Sequence, residues 1–241
     1  MASDTNHLGQ PVGAPVPDWQ PRPHPPRSVM AGRYCRLEPV DPARHADRLH
    51  LAHALDRDGA MWTYLPYGPF ESAADYRTWM ERACLGEDPQ FFAIVDPEND
   101  APAGLAAYLR IDRANGVIEV GHLAYSPLLQ RTRAATEAMV LMMARAFALG
   151  YRRYEWKCHA LNQPSRAAAQ RLGFSYEGTF RQAVVTKGRN RDTAWFSIID
   201  AEWPALRTAF DRWLAPDNFD AAGRQRLSLT ALTAPLVKTR G

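Results

Sequence analysis

The chain has 241 residues, 46% hydrophobic and 23% charged, with a formal net charge of +3, an ordinary balance for one large globular domain or two small ones with a substantial core. No apolar run reaches the ~18 residues a membrane-spanning helix needs, and the N-terminus lacks a basic-then-apolar export pattern, so a cytoplasmic protein without a membrane partner is expected. Three widely spaced cysteines, Cys35, Cys84 and Cys158, suit reduced thiols and argue against a disulfide framework or a zinc cluster; no metal site is expected.

Residues 1–30 are rich in proline (PVGAPVPDWQPRPHPP) and are expected to form an extended arm outside the core, with Trp19 as a point of attachment. Arg33 to Val40 alternates as a first strand. Asp41-Pro42 then starts a helix that runs through His45 to Asp56 and stops near Gly59. Its histidines, His45, His50 and His53, are expected on the exposed side. Met61 to Phe70 is an aromatic loop broken by Pro66, Gly68 and Pro69. Its Trp62, Tyr64, Tyr67 and Phe70 form either a lid over the core or one wall of a substrate pocket.

A helix from Ser72 to Leu85 follows. Strands at Gln90–Val95 and Ala103–Ile111 pair as a hairpin, joined through Asn115-Gly116 to a third at Val117–Tyr125. Ser126-Pro127 ends that strand, and a polar turn leads into an Ala/Met-rich helix from about Ala134 to Leu149. Next come a strand at Tyr154–Cys158 and a helix opened by Asn162 and Pro164 and closed at Gly173. Phe174–Thr186 and Asp192–Asp200 are two more strands around a turn at Lys187–Asn190. Residues 202–214 form a last helix, and 215–241 a surface tail. The order implies one mixed α/β sheet with helices on both faces, in a domain spanning 31–214.

Charge is unevenly distributed. Between Gln130 and Arg191 twelve Lys and Arg face three Glu, a net +9, so the remainder is acidic. Such asymmetry predicts a polyanionic ligand. Nucleic acid is the obvious competitor, but no recognised nucleic-acid module is present and no specific nucleic-acid binding is expected. The stretch Gln130 to Thr136 offers successive backbone amides at a helix start, with Arg131 and Arg133 beside them, which suits a diphosphate. Glu119 is a lone carboxylate in an apolar strand: either a general base made useful by burial, or a strand-end residue bonded or facing water. His122 is placed on the opposite face by alternation and is a rival base. Ser165 faces the opening between two strands, where it can donate a proton; Cys158 lacks the partners of a nucleophile.

Glu119, Gly121, Gln130, Ala135-Thr136-Glu137-Ala138, Asn162, Ser165 and Leu172-Gly173-Phe174 together resemble the GNAT acetyltransferases, in their RimJ/RimL-like branch, over residues 33–203. Two loop glycines of that pattern are replaced here by Arg131 and Arg133, and the turn is one residue longer. The resemblance implies a single mixed sheet of about seven strands, splayed at a central parallel pair, with acetyl-CoA as co-substrate. It implies that Leu123, Tyr125, Gln130, Arg131, Thr132, Arg133, Ala134, Ala135, Thr136 and Asn162 hold the cofactor. Direct attack of a primary amine on the thioester is expected, with Glu119 as base, a backbone amide near Leu123 facing the oxyanion and Ser165 protonating the thiolate. The acceptor, a protein N-terminus or a small amine, is expected to pass Trp62, Tyr64, Tyr67 and Phe70. A homodimer stays open as an assembly, and a non-catalytic acyl-CoA sensor of the same fold is the alternative function.

Overall fold

Capping side chains start most of the helices. Asp41 accepts the Ala43 amide at the head of α1 (Pro42–His53), and Ser72 accepts that of Asp75 at α2 (Ala73–Ala83). Thr132 caps α3 (Arg133–Ala148), Asn162 caps α4 (Gln163–Arg171) and Ser228 caps the short α6 (Leu229–Thr233). In each, a short polar side chain satisfies an amide that the helix itself cannot. The last long helix, α5 (Trp203–Leu214), instead has proline in its first turn.

The computed structural model describes residues 3–241. Strands β1 (Ser3–Thr5) and β2 (Pro11–Gly13) make a separate small hairpin. Eight others form one sheet: β3 (Met30–Ala31), β4 (Arg36–Pro39), β5 (Gln90–Asp96), β6 (Ala101–Asp112), β7 (Val117–Tyr125), β8 (Arg153–His159), β9 (Ser175–Thr186) and β10 (Arg189–Ile199). Their spatial order is β3-β4-β5-β6-β7-β8-β10-β9. The sheet is larger than the expected seven strands because β3, at two residues, is too short to show a period in sequence. The turn between β9 and β10 is the tight pair Lys187-Gly188, both with positive φ (49° and 71°), as a hairpin of this twist requires.

All pairs are antiparallel except β7 with β8. That parallel pairing runs only from Val117 to Val120 against Arg153 to Trp156. Beyond it the two strands diverge, and the fork they leave is the feature around which the functional side chains gather. One face of the sheet packs Ile118, Val120, Tyr154, Trp156 and Phe196 under α3 and α5; the other packs Phe91, Val95, Leu105 and Ala107 under α1 and α2.

In α1 the histidines depart from expectation. His45 and His53 are 2% and 3% exposed, on one stripe with Leu49. The spacing of four places all three on the face that meets the sheet. His45 survives burial by pairing: its Nδ1 accepts the Asp41 amide and its Nε2 meets Glu38, each at 3.1 Å.

The proline-rich segment is strapped across the sheet end away from the fork. Trp19 donates to the Ala114 carbonyl at 2.7 Å and lies against Gly116. Arg27 bonds the carbonyls of Cys84, Leu85 and Gly86 at the end of α2. Arg145 of α3 holds Ser28 and Val29. At the other terminus Leu229 is fully buried in the main core, and the Tyr176 amide bonds the Thr239 carbonyl, so the last residues line the outer edge of β9.

Candidate active site

The helix start beside the fork keeps the geometry the sequence suggested. Arg131 adopts φ 61°, the left-handed conformation that a glycine takes readily and that a larger residue holds at a cost of roughly 1 kcal/mol. The turn therefore follows a glycine-like path without its glycine. Thr132 Oγ1 accepts the Ala135 amide at 3.1 Å and donates to the Leu129 carbonyl at 2.7 Å. The Arg133 and Ala134 amides, first in α3, have no acceptor within the helix and point out along its positive end. Arg133 itself is held between the rings of Tyr34 and Phe219, 4.7 and 4.6 Å from their centroids. Gln130 donates to the Tyr125 carbonyl at 2.8 Å, closing the end of β7. Thr136 is buried and accepts from Arg171.

Glu119 lies at the base of the fork, 3% exposed, on the α1/α2 face. Of the two readings open in sequence, burial or a bonded strand-end residue, it combines parts of both: it is buried and it is paired. Arg110 contacts both its oxygens, at 2.9 and 2.7 Å, and Lys157 Nζ is 2.9 Å from Oε2. Lys157 also pairs with Glu155 at 2.7 Å, and Glu155 with Arg153 at 2.6 Å. Lys157 further lies 3.7 Å from the centre of the Trp195 ring. The two cations on Glu119 are unequal: the Lys157 side chain is 6% exposed and that of Arg110 60%. Only the second can leave its carboxylate for water at small cost.

His122 corrects the expected alternation. Its φ is 51°, and β6 and β7 slip register there, Leu105 facing Ala124 but Ala107 facing Gly121. This bulge inserts an extra residue and turns His122 to the same face as Glu119. The ring stacks on Tyr67 at 5.6 Å and meets Phe91 at 4.9 Å. Burial, with the Arg110 and Arg191 charges, lowers its pKa to about 4. The imidazole is thus neutral at pH 7, with Nδ1 buried and unpartnered. Leu123, next in the bulge, is half-buried, as is Tyr125, whose hydroxyl has no partner.

Trp62, Tyr67 and Phe70 pack edge-on into the smaller core. Tyr64 turns the other way, its ring 5.2 Å from that of His159 and its hydroxyl donating to the Leu161 carbonyl. The aromatic loop therefore reaches from β7 to the start of α4, over the fork. Lys187, at the tip of the β9–β10 hairpin, donates to the carbonyls of Trp62 and Gly68, each at 2.9 Å. Loop and hairpin are joined there.

Ser165 sits on the opposite face, in the first turn of α4, where Asn162 Oδ1 accepts its amide at 3.2 Å. The Trp156 indole donates to Ser165 Oγ at 3.0 Å. An indole N–H can only donate, so the serine keeps its own proton to give, with the Cys158 sulfur as a neighbouring acceptor. Burial raises the Cys158 pKa, which keeps the thiol protonated and unsuited to nucleophilic work. Among the described residues no three His, Cys, Asp or Glu side chains are grouped to hold a metal, and no helix is long and apolar enough to cross a membrane.

Sequence reasoning missed Arg110, Lys157 and Arg191 as neighbours of Glu119. The alternation of Arg153, Glu155 and Lys157 along β8 carried the one hint, a charged stripe on one face of a strand. A consequence for stability follows from the buried histidines. Burial lowers the pKa of His53 to about 4, while an unfolded histidine titrates near 6.5. Between those values the unfolded chain binds the extra proton, so this contribution is full above pH 6.5 and is lost as pH falls. Urea unfolding at pH 7 and pH 4.5 is expected to show a loss of about 2 kcal/mol from His53, absent in His53→Gln.

Comparison with known proteins places this arrangement. Residues 35–175 match the family described as Acetyltransferase (GNAT) domain. A GCN5-related N-acetyltransferase from Brucella melitensis, of known crystal structure, is 49% identical, with a TM-score of 0.89 over 91% of this chain and 100% of that one. A probable GNAT-family acetyltransferase from Chromobacterium violaceum is 41% identical, with a TM-score of 0.76 over 81% of this chain and 98% of the other. An uncharacterized, prophage-derived N-acetyltransferase of Bacillus subtilis shares 28% identity over 55% of this chain and 73% of its own length.

Proposed function

The chain belongs to the GNAT acetyltransferase family and takes its acetyl group from acetyl-CoA, and from that premise we propose that the acceptor is a primary amine attacking the thioester at the fork between β7 and β8. The observation that carries the reading is the placement of two proton-handling groups on opposite sides of that fork. Glu119 lies on the α1/α2 face and Ser165 on the α3/α4 face, beside a helix start with outward amides.

In this reading the diphosphate meets the Arg133 and Ala134 amides, with Arg131 adding charge. The splay leaves strand backbone for the pantetheine arm, near Leu123 and Tyr125. The amine enters between the aromatic loop and the hairpin. Its ammonium displaces the exposed Arg110 from Glu119, which takes the proton directly or through a water. The nitrogen then attacks the carbonyl, and the amide near Leu123 steadies the oxyanion. As the intermediate collapses, the C–S bond breaks and the nitrogen gives its second proton to water. Ser165 donates its hydroxyl proton to the sulfur and regains one from water, leaving one net proton on Glu119. The RimJ/RimL-like resemblance of residues 119–174 adds protein N-termini to small amines as acceptors.

The clamping of Glu119 by two cations favours one second reading, a module that binds acyl-CoA without turning it over. Free-thiol release from acetyl-CoA with a panel of amines separates the two. Turnover above the no-amine rate is expected, and a chain stabilised by acetyl-CoA but silent with every amine is the sensor. At a ligand concentration of 100 Kd the cofactor should raise unfolding free energy by about 2.7 kcal/mol. A melting temperature indifferent to acetyl-, succinyl- and free CoA would end both readings.

A further inference from the structure

We propose that Arg191 recognises a carboxylate carried by the acceptor, which makes the acceptor class small α-amino acids rather than protein N-termini or polyamines. This rests on the transferase reading above. Arg191 lies on β10 just beyond the point where Thr193 faces His159 of β8. There the chain turns along the open end of the fork, the Ala160 amide bonding the Asp192 carbonyl at 2.8 Å.

The cations around Glu119 and at the hairpin tip are engaged, and Arg166 of α4 gives a bond to the Ala160 carbonyl at 2.9 Å. Arg110 and Lys157 hold Glu119, Arg153 holds Glu155 and Glu177, and Lys187 holds two carbonyls. Among the described residues Arg191 has no ion pair and no side-chain hydrogen bond, and its Nε is buried without a partner. A guanidinium taken partly out of water with no counter-ion is unfavourable unless a ligand supplies one. Desolvation accordingly lowers its pKa, and the nearby Glu119 and Cys158 oppose that shift. Glu119 is paired with Arg110 and Lys157 and makes no ion pair with Arg191.

On the same strand, β10, Thr193 Oγ1 and Trp195 Nε1 are also buried without partners. The indole and the guanidinium can only donate, and the Thr193 hydroxyl can donate as well. A carboxylate only accepts, so it completes this set; a second ammonium brings more donors and more positive charge. An α-amino acid carries its amine and its carboxylate on one carbon. That spacing lets the nitrogen reach Glu119 while the carboxylate meets the planar fork of Arg191, with the side chain turned to Tyr64 and Tyr67. The same carboxylate chemistry exists at the end of a succinyl group on the donor, and the test distinguishes the two.

Thiol release is measured on the full chain with acetyl-CoA and matched pairs: glycine and glycinamide, L-phenylalanine and L-phenylalaninamide, L-glutamate and its α-amide, with spermidine alongside. One charge-assisted bidentate contact predicts a kcat/KM for the best amino acid roughly 30-fold above its amide, with spermidine lower still. Arg191→Gln should compress that ratio to within about 3-fold, and Arg191→Lys should restore part of it. The melting temperature of Arg191→Gln should not fall, since an uncompensated charge is removed.

Equal rates on acids and amides, or a ratio that ignores Arg191→Gln, would overturn the proposal and leave the transferase intact. A preference for succinyl-CoA over acetyl-CoA that disappears in Arg191→Gln, with acids and amides equal throughout, would move the carboxylate to the acyl chain and overturn it as well. No turnover of any amine would remove the transferase reading along with it. Should Arg191→Gln fail to fold, the acid-to-amide ratio of the native chain still decides.

Discussion

Glu119→Gln is expected to lower kcat for acetyl transfer roughly 10²- to 10³-fold, the range a positioned general base contributes. Ser165→Ala should lower it about 10-fold, because a CoA thiolate leaves well without a proton. The two sites differ in their surroundings as well. Glu119 is buried between Arg110 and Lys157, so the amide replacement keeps the shape but removes the charge that an ammonium would seek. Lys157 retains Glu155 as a counter-ion at 2.7 Å, which limits the structural damage. Ser165 accepts from the Trp156 indole and adjoins the Cys158 thiol, and alanine leaves the indole donor unmet. Steady-state kinetics at saturating acetyl-CoA decide the matter: a Ser165→Ala defect larger than that of Glu119→Gln would reverse the assignment of base and acid.

The largest stability effect is expected at Glu137. This carboxylate of α3 is 6% exposed and accepts three successive backbone amides, those of Arg33, Tyr34 and Cys35, at 2.9, 2.6 and 2.9 Å. It holds the turn between β3 and β4 against the first half of α3. Gly32 belongs to the same fit, since a Cβ there would lie 2.4 Å from Glu137 Oε2. Glu137→Ala leaves three buried donors unmet and should cost about 3–5 kcal/mol. For a chain of this size that corresponds to a melting temperature lower by roughly 10 °C. Glu137→Gln keeps one acceptor oxygen and should cost less. A loss under about 1 kcal/mol in Glu137→Ala, measured by urea unfolding, would show that water replaces the carboxylate at this turn.

Glu137 also illustrates what sequence can disclose. It was legible as part of a motif, Ala-Thr-Glu-Ala at a helix start, but not as the partner of a turn a hundred residues earlier. Local rules worked where the cause was local. Asp41 and Asn162 cap helices within three residues of themselves, and Gly116 and Gly173 take the positive φ expected of them. The fork was legible only through the family resemblance, because strand divergence has no local signature. The bulge at His122 escaped because a positive φ at histidine is set by the strand opposite it and not by residue type. The buried stripe of His45, Leu49 and His53 was open to reading from its spacing alone; composition misled, since histidine suggests a surface. Arg110, Lys157 and Arg191 converge on the fork from three strands, a juxtaposition that only folding brings about.

The strap formed by Trp19 to Val29 bears on how the protein is handled. The family match begins at residue 35, and a recombinant fragment trimmed to that boundary would discard the strap entirely. Pro25 accepts from the buried Gln90 amide and Pro23 from the Tyr151 hydroxyl, while Arg27 closes the carbonyls after α2. All of these groups would be uncovered at once, along with the ring-shaped seat of Trp19 at Gly116. The working unit for expression, crystallisation and assay therefore includes the polypeptide from Trp19 onward.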